Sequence, residues 1–585
     1  MIKINKTLGL ALLTALAASC SSNEEAVQNN PVAENGEAAY ATLRINLPAQ
    51  PSSRAVDIDQ EGLPSEYKVN DATLLVFKKA GSSEGDYTFQ ESVPLGNMNP
   101  WDNLGGSGVQ TTAETTAKFG TTTYADLTAG NIYGLVILNN GSGTSQKITL
   151  PTAGQTFSAW NNKASNVTAA NMTNVSNGIV MANAPEWKES GTAPLTLVPI
   201  DGTKVQPTAA KAEAAGPAAN IYVERGLAKV TMEDVPNMTP TGSTYKSDEV
   251  GIFAWTLDVT NKSSYPVHNV DGLATDYADI WKSDGTASAN DNSPSVRRFV
   301  DGANSTFKRV YWGKDPNYDQ NITDVATAFN LATTKDLTTD AAKAFGDANP
   351  KYCLENTFDI DHMTQNQTTR VLFQAIYKVN GTTAATFYKI GDQSGLYNEE
   401  NLKNLINTIV KNVTGKVVGK DYTLDLGKIA TEAGGHDLTD ANFTAVASPA
   451  KAFTRGTDEA EAGDGTKNNI LSDDQISKVN AQLNGQIKTY LNGVCYYIGR
   501  IKHFGNDETP WNQGDPTYDG KNLEYLGRYG VLRNNWYSLS VNSVSGPGEP
   551  VIPETPDTPD DDNHNYINLS VKVLKWAKRG QVLHF

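Results

Sequence analysis

Cysteine is scarce, with Cys20, Cys353 and Cys495 the only three in 585 residues. So few exclude a disulfide-built scaffold. The sequence does not decide whether Cys353 and Cys495 pair; two buried thiols is the preferred reading. Histidine is nearly as rare, at six. None lies in H-E-x-x-H and there is no Cys-x-x-Cys, so the usual zinc patterns are missing. The carboxylates beside His362 in "DIDH" and His436 in "GHD" are what an Asp-rich chain produces by chance. A G-x-S-x-G elbow and a G-x-x-x-x-G-K-[ST] loop are also missing. The aspartates of "DTPDDD" lack the EF-hand spacing. No catalytic, cofactor-binding or metal-binding residue is assigned, and the chain is expected not to be an enzyme. Positive charge is short too: 48 Lys and Arg against 65 Asp and Glu give a net charge of -17. Nucleic acid is therefore excluded as the main partner, because phosphate binding needs clustered Lys and Arg. Beyond the N-terminus no run of about 20 apolar residues occurs, so no helix of that kind spans a bilayer.

What is present begins with a leader. Lys3 and Lys6 precede a short apolar stretch, Leu8 to Ala18, which ends in "LAASC" at Cys20. Residues 1–19 read as a signal peptide. Small residues leading to a cysteine resemble a lipoprotein signal, which implies lipidation of Cys20 after cleavage.

Most of the remainder reads as β-structure, with short apolar runs separated by Gly, Asn, Thr and Ser. Strands are expected within Asp71–Gly81, Asn131–Gly141, Asn220–Met232, Gly251–Val259, Arg370–Val379, Ala385–Ile390, Val494–Ile501 and Trp536–Val544. Helices are few. One places Leu402, Leu405, Ile406 and Ile409 on one face behind Asn398 as N-cap, and another covers Asp473 to Leu483. Both are expected to pack on a sandwich. The fold class is mainly β: two tandem β-sandwich (transthyretin-like) domains with a few short helices. An Ala/Gly-rich shift near residue 216 divides an N-terminal domain, 55–215, from a C-terminal domain, 216–545.

Two segments stand apart. "GPGEPVIPETPDTPDDD" has proline at 547, 550, 553, 556 and 559. This matches the three-residue turn of polyproline II, and 13 such residues reach about 40 Å. Residues 546–565 are expected to form a rod that its aspartates keep solvated. It leads to 566–585, where Ile567, Leu569, Val571 and Val573 alternate with polar residues. That is a strand without a partner in its sequence neighbourhood. It either folds back as an edge strand or is held out for another molecule. Near the other end, "YATLRINLPAQPSSRAVDIDQ" puts Ala41, Leu43, Ile45 and Leu47 on one face of a strand over Tyr40–Leu47. A soft Pro/Ser run then leads to Arg54 and Ala55.

Four features, in this order along the chain, resemble the fimbrillins of Bacteroidales, most nearly the Mfa1-type major fimbrial subunit. The first is "AASC" followed by a strand and Arg54. The second is "YVERGLAKV", similar to the family's V-E-R-x-x-A-[KR]. The third is "GVCYYIGRI" with "YGVLRNNWYSLSVNSV", similar to V-x-R-N-N-x-Y. The fourth is the Pro/Asp run with "LSVKVLKW", similar to a terminal V-x-V-x-x-W. The resemblance implies the subunit of a cell-surface pilus shaft, exported to the outer membrane as a lipoprotein whose propeptide is 20–54. A trypsin-like, arginine-specific protease cuts between Arg54 and Ala55. The cut releases the strand bearing Leu43, Ile45 and Leu47. A donor strand bearing Ile567, Leu569, Val571 and Val573 from another subunit fills the groove. The partners implied are further copies of the chain, anchor and tip subunits, and a receptor the sequence does not name; the context is adhesion and biofilm. A tip or accessory adhesin, and a surface glycan-binding lipoprotein using scattered tryptophans, are the alternatives. Burial of Leu43, Ile45 and Leu47 contributes about 5–9 kcal/mol together. Covalent attachment gives this strand a high effective concentration over an outside donor.

Overall fold

The computed structural model describes residues 38–47, 60–96, 112–122, 124–162, 167–187, 194–273, 300–301, 309–310, 312–446, 470–504, 509, 511, 525–562 and 567–577. Cys20, Arg54 and Ala55 lie outside the described residues, and so do 563–565 of the expected rod and 566 and 578–585 of the C-terminal segment. Among the described residues no helix is long and apolar enough to cross a membrane.

The fold is mainly β. The first sheet holds β1 (Ala39–Asn46), β3 (Ala72–Lys78), β4 (Thr88–Pro94), β5 (Thr112–Phe119), β6 (Ile132–Leu138), β7 (Met181–Asn183), β8 (Val198–Pro199) and β9 (Ala219–Arg225). Its order is β4-β3-β6-β7-β9-β1-β5, with β8 beside β6. The sheet doubles over so that β3, β4 and β6 face β1, β5 and β9 across one core, which includes Leu43, Ile45, Leu74, Val76, Val136 and Ile221. These are the two layers of a sandwich. Strands β3 and β6 are apolar on both faces because their other side meets a second core: Leu75, Phe77, Leu135 and Ile137 pack with Phe157 and Trp160. That double burial is why "TLLVF" and "GLVIL" read as unbroken apolar runs rather than alternating ones.

The expected strand over Asn220–Met232 is two strands. β9 ends at Arg225, and β10 (Ala228–Met232) starts a different sheet. The change falls at Gly226, where a Cβ would sit 2.7 Å from Met172 Cε. The sheets therefore part about ten residues beyond 216, and β9 lies with the first. Proximity of Ala/Gly-rich sequence marked only α1 (Ala209–Ala215), a short helix capped by Thr208.

The second sandwich pairs two sheets. One has the order β12-β10-β15-β16-β2, where β12 is Lys351–Cys353, β15 Asn535–Val544, β16 Ile567–Ala577 and β2 Gln60–Glu61. The other has the order β11-β13-β14: Glu249–Asp258, Arg370–Lys378 and Val494–Arg500. Their shared core includes Val230, Trp255, Phe373, Tyr497 and Leu539. Cys353 and Cys495 are free and buried in it, and burial pushes both thiols up to about 12. Between β13 and β14 the chain builds a third layer, in which α2 (Glu399–Thr414) and α3 (Asp473–Leu483) cover a four-stranded sheet. Asn398 caps α2, its side chain accepting from Asn401 N at 2.8 Å. Leu402, Ile406 and Ile409 are buried as their spacing predicts.

Candidate functional site

Strand β1 is short and near one end of the chain, yet it occupies an interior position. It pairs antiparallel with β5, from Ala39 opposite Phe119 to Asn46 opposite Thr112. On its other side it pairs parallel with β9, from Leu43 opposite Ala219 to Asn46 opposite Tyr222. Further backbone bonds join Tyr40 to Gln206 in both directions, and Ala218 N donates to Thr42 O at 2.7 Å. Alternation does the rest. Ala39, Ala41, Leu43, Ile45 and Leu47 are all buried, with Leu43 and Ile45 fully inaccessible to solvent. The opposite face is polar. Thr42 bonds Thr116, Arg44 pairs with Glu114 at 2.7 Å, and Asn46 Nδ2 donates to Asn220 Oδ1 at 2.7 Å. Among the described residues β1 is the only ladder partner of β5. Taking β1 away leaves a slot with unpaired backbone on both walls and an apolar floor.

The C-terminal strand adopts the fold-back arrangement in this structure. β16 pairs antiparallel with β15, from Val544 opposite Ile567 to Asn535 opposite Lys575, with a bulge between Val541 and Ser543. Its far end pairs with β2, Gln60 opposite Trp576. Its apolar face looks onto β14, where Leu569 lies against Gly499: a Cβ there would be 1.9 Å from Leu569 Cδ1. Ile567 is buried, whereas Leu569, Val571 and Val573 are only half-buried. A cleft of about 440 Å³ undercuts this start of the strand, lined by Gly499, Arg500, Asp560, Ile567 and Leu569 among others.

The Pro/Asp run corrects one expectation. It is not a solvated rod: it is a strap tied along its own sandwich. Tyr497 and Tyr490 hydroxyls donate to Gly546 O and Gly548 O. Glu549 exchanges backbone bonds with Tyr496, covering the free edge of β14. Arg370 donates to Pro553 O and Glu554 O at 2.7 and 3.0 Å. Gln365 N donates to Thr558 O, Arg500 pairs with Asp560 at 3.1 Å, and Arg528 pairs with Asp561 at 2.8 Å. The reason is electrostatic. Arg370, Arg500 and Arg528 are buried, and buried guanidinium groups require acceptors and counter-charge. Asp560 and Asp561, read as solvating groups, supply counter-charge to Arg500 and Arg528, while Arg370 pairs with Asp258 and takes carbonyl acceptors from the strap; Asp560 is 1 % exposed. Burial raises its carboxyl above the ordinary range, with Arg500 pulling the other way.

The second and third family-like motifs meet at the junction of the two sandwiches. Arg225 N donates to Asn534 Oδ1 at 3.1 Å, and Asn534 N donates to Leu227 O at 2.7 Å. Arg225 Nε donates to Glu66 O, while Lys229 pairs with Glu66 at 2.9 Å and lies 3.6 Å over the Trp536 ring. Glu224 pairs with Arg309 and with His268 Nδ1, and Arg533 pairs with Glu355 at 3.1 Å. Burial pushes the Glu224 carboxyl up, but Arg309, His268 and Arg533 outweigh it and hold it at about 2. Glu66, His268, Arg309 and Glu355 carried no sequence signal, since each takes its role from partners far along the chain. His362 and His436 have local partners, Asp359 Oδ1 at 2.6 Å and Glu432 O at 2.9 Å. No group of His, Cys, Asp and Glu able to hold a metal occurs among the described residues.

Fold and site together define a double β-sandwich protein whose first strand occupies an interior position, paired on both sides. The model of one protein family matches residues 488–581: Major fimbrial subunit protein type IV, Fimbrillin, C-terminal. The C-terminal region of the chain is thus similar to a fimbrillin C-terminal region, in agreement with the resemblance drawn from its motifs. The matched stretch begins six residues before β14 and takes in β14, β15, the strap and β16. Among solved structures the chain is similar to a fimbrilin from Porphyromonas gingivalis W83, at 13% identity and TM-score 0.35, covering 92% of this chain and 99% of that one. It is similar also to the tip fimbrial protein Mfa3 from Porphyromonas gingivalis, at 12% identity and TM-score 0.22, covering 92% and 99%. A fimbrial assembly protein from Parabacteroides distasonis matches at 11% identity and TM-score 0.20, over 40% of this chain and 67% of that one. No curated protein matches the chain.

Proposed function

We propose that the chain is the structural subunit of a cell-surface fimbria, of the Mfa1-type shaft class, that polymerises by donor-strand exchange. The precursor is an outer-membrane lipoprotein anchored at Cys20. An arginine-specific protease cuts after Arg54, β1 leaves, and β16 of another copy takes its place. The observation that carries this reading is the interior position of β1. A strand hydrogen-bonded on both sides and buried to 0% at Leu43 and Ile45 is joined covalently to the domain that follows through the segment that contains Arg54. Burial supports the direction of exchange. In its own sheet β16 leaves Leu569, Val571 and Val573 partly exposed, while the slot buries the β1 apolar row almost completely. Moving to the slot therefore removes more apolar surface from water. One surface donates and a different one accepts, so the interface is heterologous and propagates as a filament. Adhesion and biofilm formation follow from a surface fibre, with anchor and tip subunits at its ends. The test is to cut purified precursor with an arginine-specific protease. SDS-resistant ladders are expected, and a cut protein that stays monomeric at high concentration refutes the proposal.

A further inference from the structure

The slot left by β1 has two walls of unequal security. β9 is held on its far side by β7. Among the described residues β5 has no second ladder. It lies beside β4, the opposite edge of the doubled sheet, and among the described residues the seam between these two strands contains no ladder. The short polar bonds across it come from one carboxylate. Glu91, on β4, accepts from Gly120 N at 2.9 Å, Thr121 N at 3.0 Å and Thr122 N at 2.7 Å, the three residues that follow β5. Glu91 reaches the seam because β4 is bulged. The register pairs Phe77 with Phe89 and Val76 with Glu91, leaving Gln90 extra. The bulge reverses the alternation. Phe89 faces the second core, whereas Val93, two residues from Glu91, faces the first. Without the extra residue Glu91 shares the face of Phe89 and turns away from β5.

We infer that Glu91 is the positioning residue of the acceptor slot, holding β5 at strand spacing from β9 once β1 has gone. This inference rests on the strand-exchange reading. Arg44–Glu114 and Thr42–Thr116 leave with β1, and the side-chain ties of β5 to the rest of the chain are long: Thr115 Oγ1 to Leu95 O at 3.4 Å and Thr116 Oγ1 to Glu213 Oε1 at 3.5 Å. Ala113, Ala117 and Phe119 pack into the first core, but the β1 side chains that share this core leave with the strand. A carboxylate bound to three amides is a charge-assisted anchor. It keeps the slot preformed, so an arriving donor does not have to order β5. While β1 is present the same anchor is redundant, since eight register pairs already hold β5.

The experiment compares wild type, E91A and E91Q, each before cutting and after cutting and separation from the leading strand by gel filtration in mild urea. Hydrogen exchange over 112–119 and binding of a synthetic 567–577 peptide are measured. Before cutting, exchange in E91A is expected to match wild type. After cutting, β5 amides in E91A lose protection and the peptide binds about tenfold more weakly. E91Q, which keeps one acceptor oxygen, lies between, and it supplies the measurement should E91A not fold. Equal protection of β5 in cut wild type and cut variants overturns the inference. Loss of protection already in the uncut variants overturns it too, since that is a purely structural role. Should cut wild type refuse the peptide, strand exchange fails, while the hydrogen-exchange comparison still decides the hold of Glu91 on β5.

Discussion

Replacing Ile45 by alanine tests the slot most sharply. Ile45 is fully buried, opposite Ala113 on β5 and Ile221 on β9. Truncating a buried isoleucine to alanine costs about 2–5 kcal/mol. Taking about 3 kcal/mol, the docking equilibrium of the cut strand weakens by a factor of about one hundred. In the uncut precursor the same loss appears as a lower thermal midpoint. The assay is a time course of SDS-resistant ladders after addition of an arginine-specific protease. The lag between cutting and the first dimer shortens in Ile45→Ala, because departure of β1 precedes entry of the donor. Arg44→Ala is the control. Its pair with Glu114 is nearly half exposed on both sides, and such pairs contribute about 0–1 kcal/mol; ladder formation should change little. If Ile45→Ala lowers the thermal midpoint and is cut normally, yet forms ladders no faster than wild type, the reasoning is refuted.

Asp560→Asn removes the counter-charge of buried Arg500, and breaking such a pair costs about 3–5 kcal/mol. The strap and β16 should then lose hydrogen-exchange protection and ladders should form faster; unchanged protection of β16 contradicts the strap as its restraint. Deleting 566–585 should abolish donation while leaving the slot able to accept a 567–577 peptide, and a deletion variant that still extends ladders contradicts the donor assignment. The pH profile follows from three carboxyls. Burial raises Glu84 and Asp315 to about 7 from ordinary values of 4.5 and 3.8. Through that window the folded chain keeps protons the unfolded chain has released, so stability from these two falls as pH rises. Glu224, held at about 2, acts oppositely, and its contribution is lost as pH falls below 4.5. Thermal midpoints of the precursor should therefore peak at about pH 4–5; a monotonic rise from pH 4 to 8 contradicts the burial of Glu84 and Asp315.

Local patterns made much of the fold legible. Alternation at Ala41, Leu43, Ile45 and Leu47 gave β1 to within one residue at each end, 3.6-residue spacing behind Asn398 gave α2, and the expected helix over Asp473 to Leu483 is α3. Here the local period is what the tertiary core reads. Where the decisive partner is distant in sequence, local reading failed. The Pro/Asp strap has the composition of a solvated rod, and only the buried guanidinium groups of Arg370, Arg500 and Arg528 show why it lies down. The unbroken-looking run over Asn220–Met232 is divided at Gly226 and Leu227, because its two halves pair with different sheets. The slot itself was half visible. The apolar face of β1 can be read from "ATLRINL", but that β1 is flanked on both sides, and that Glu91 secures one wall, are matters of topology.

The central claim is tested most directly by a cryo-electron microscopy map of the native fibre, read between β5 and β9. The account predicts that chain 567–577 of a neighbouring protomer fills that position, with protomers beginning at Ala55. Density there continuous with residues 39–46 of the same protomer contradicts it.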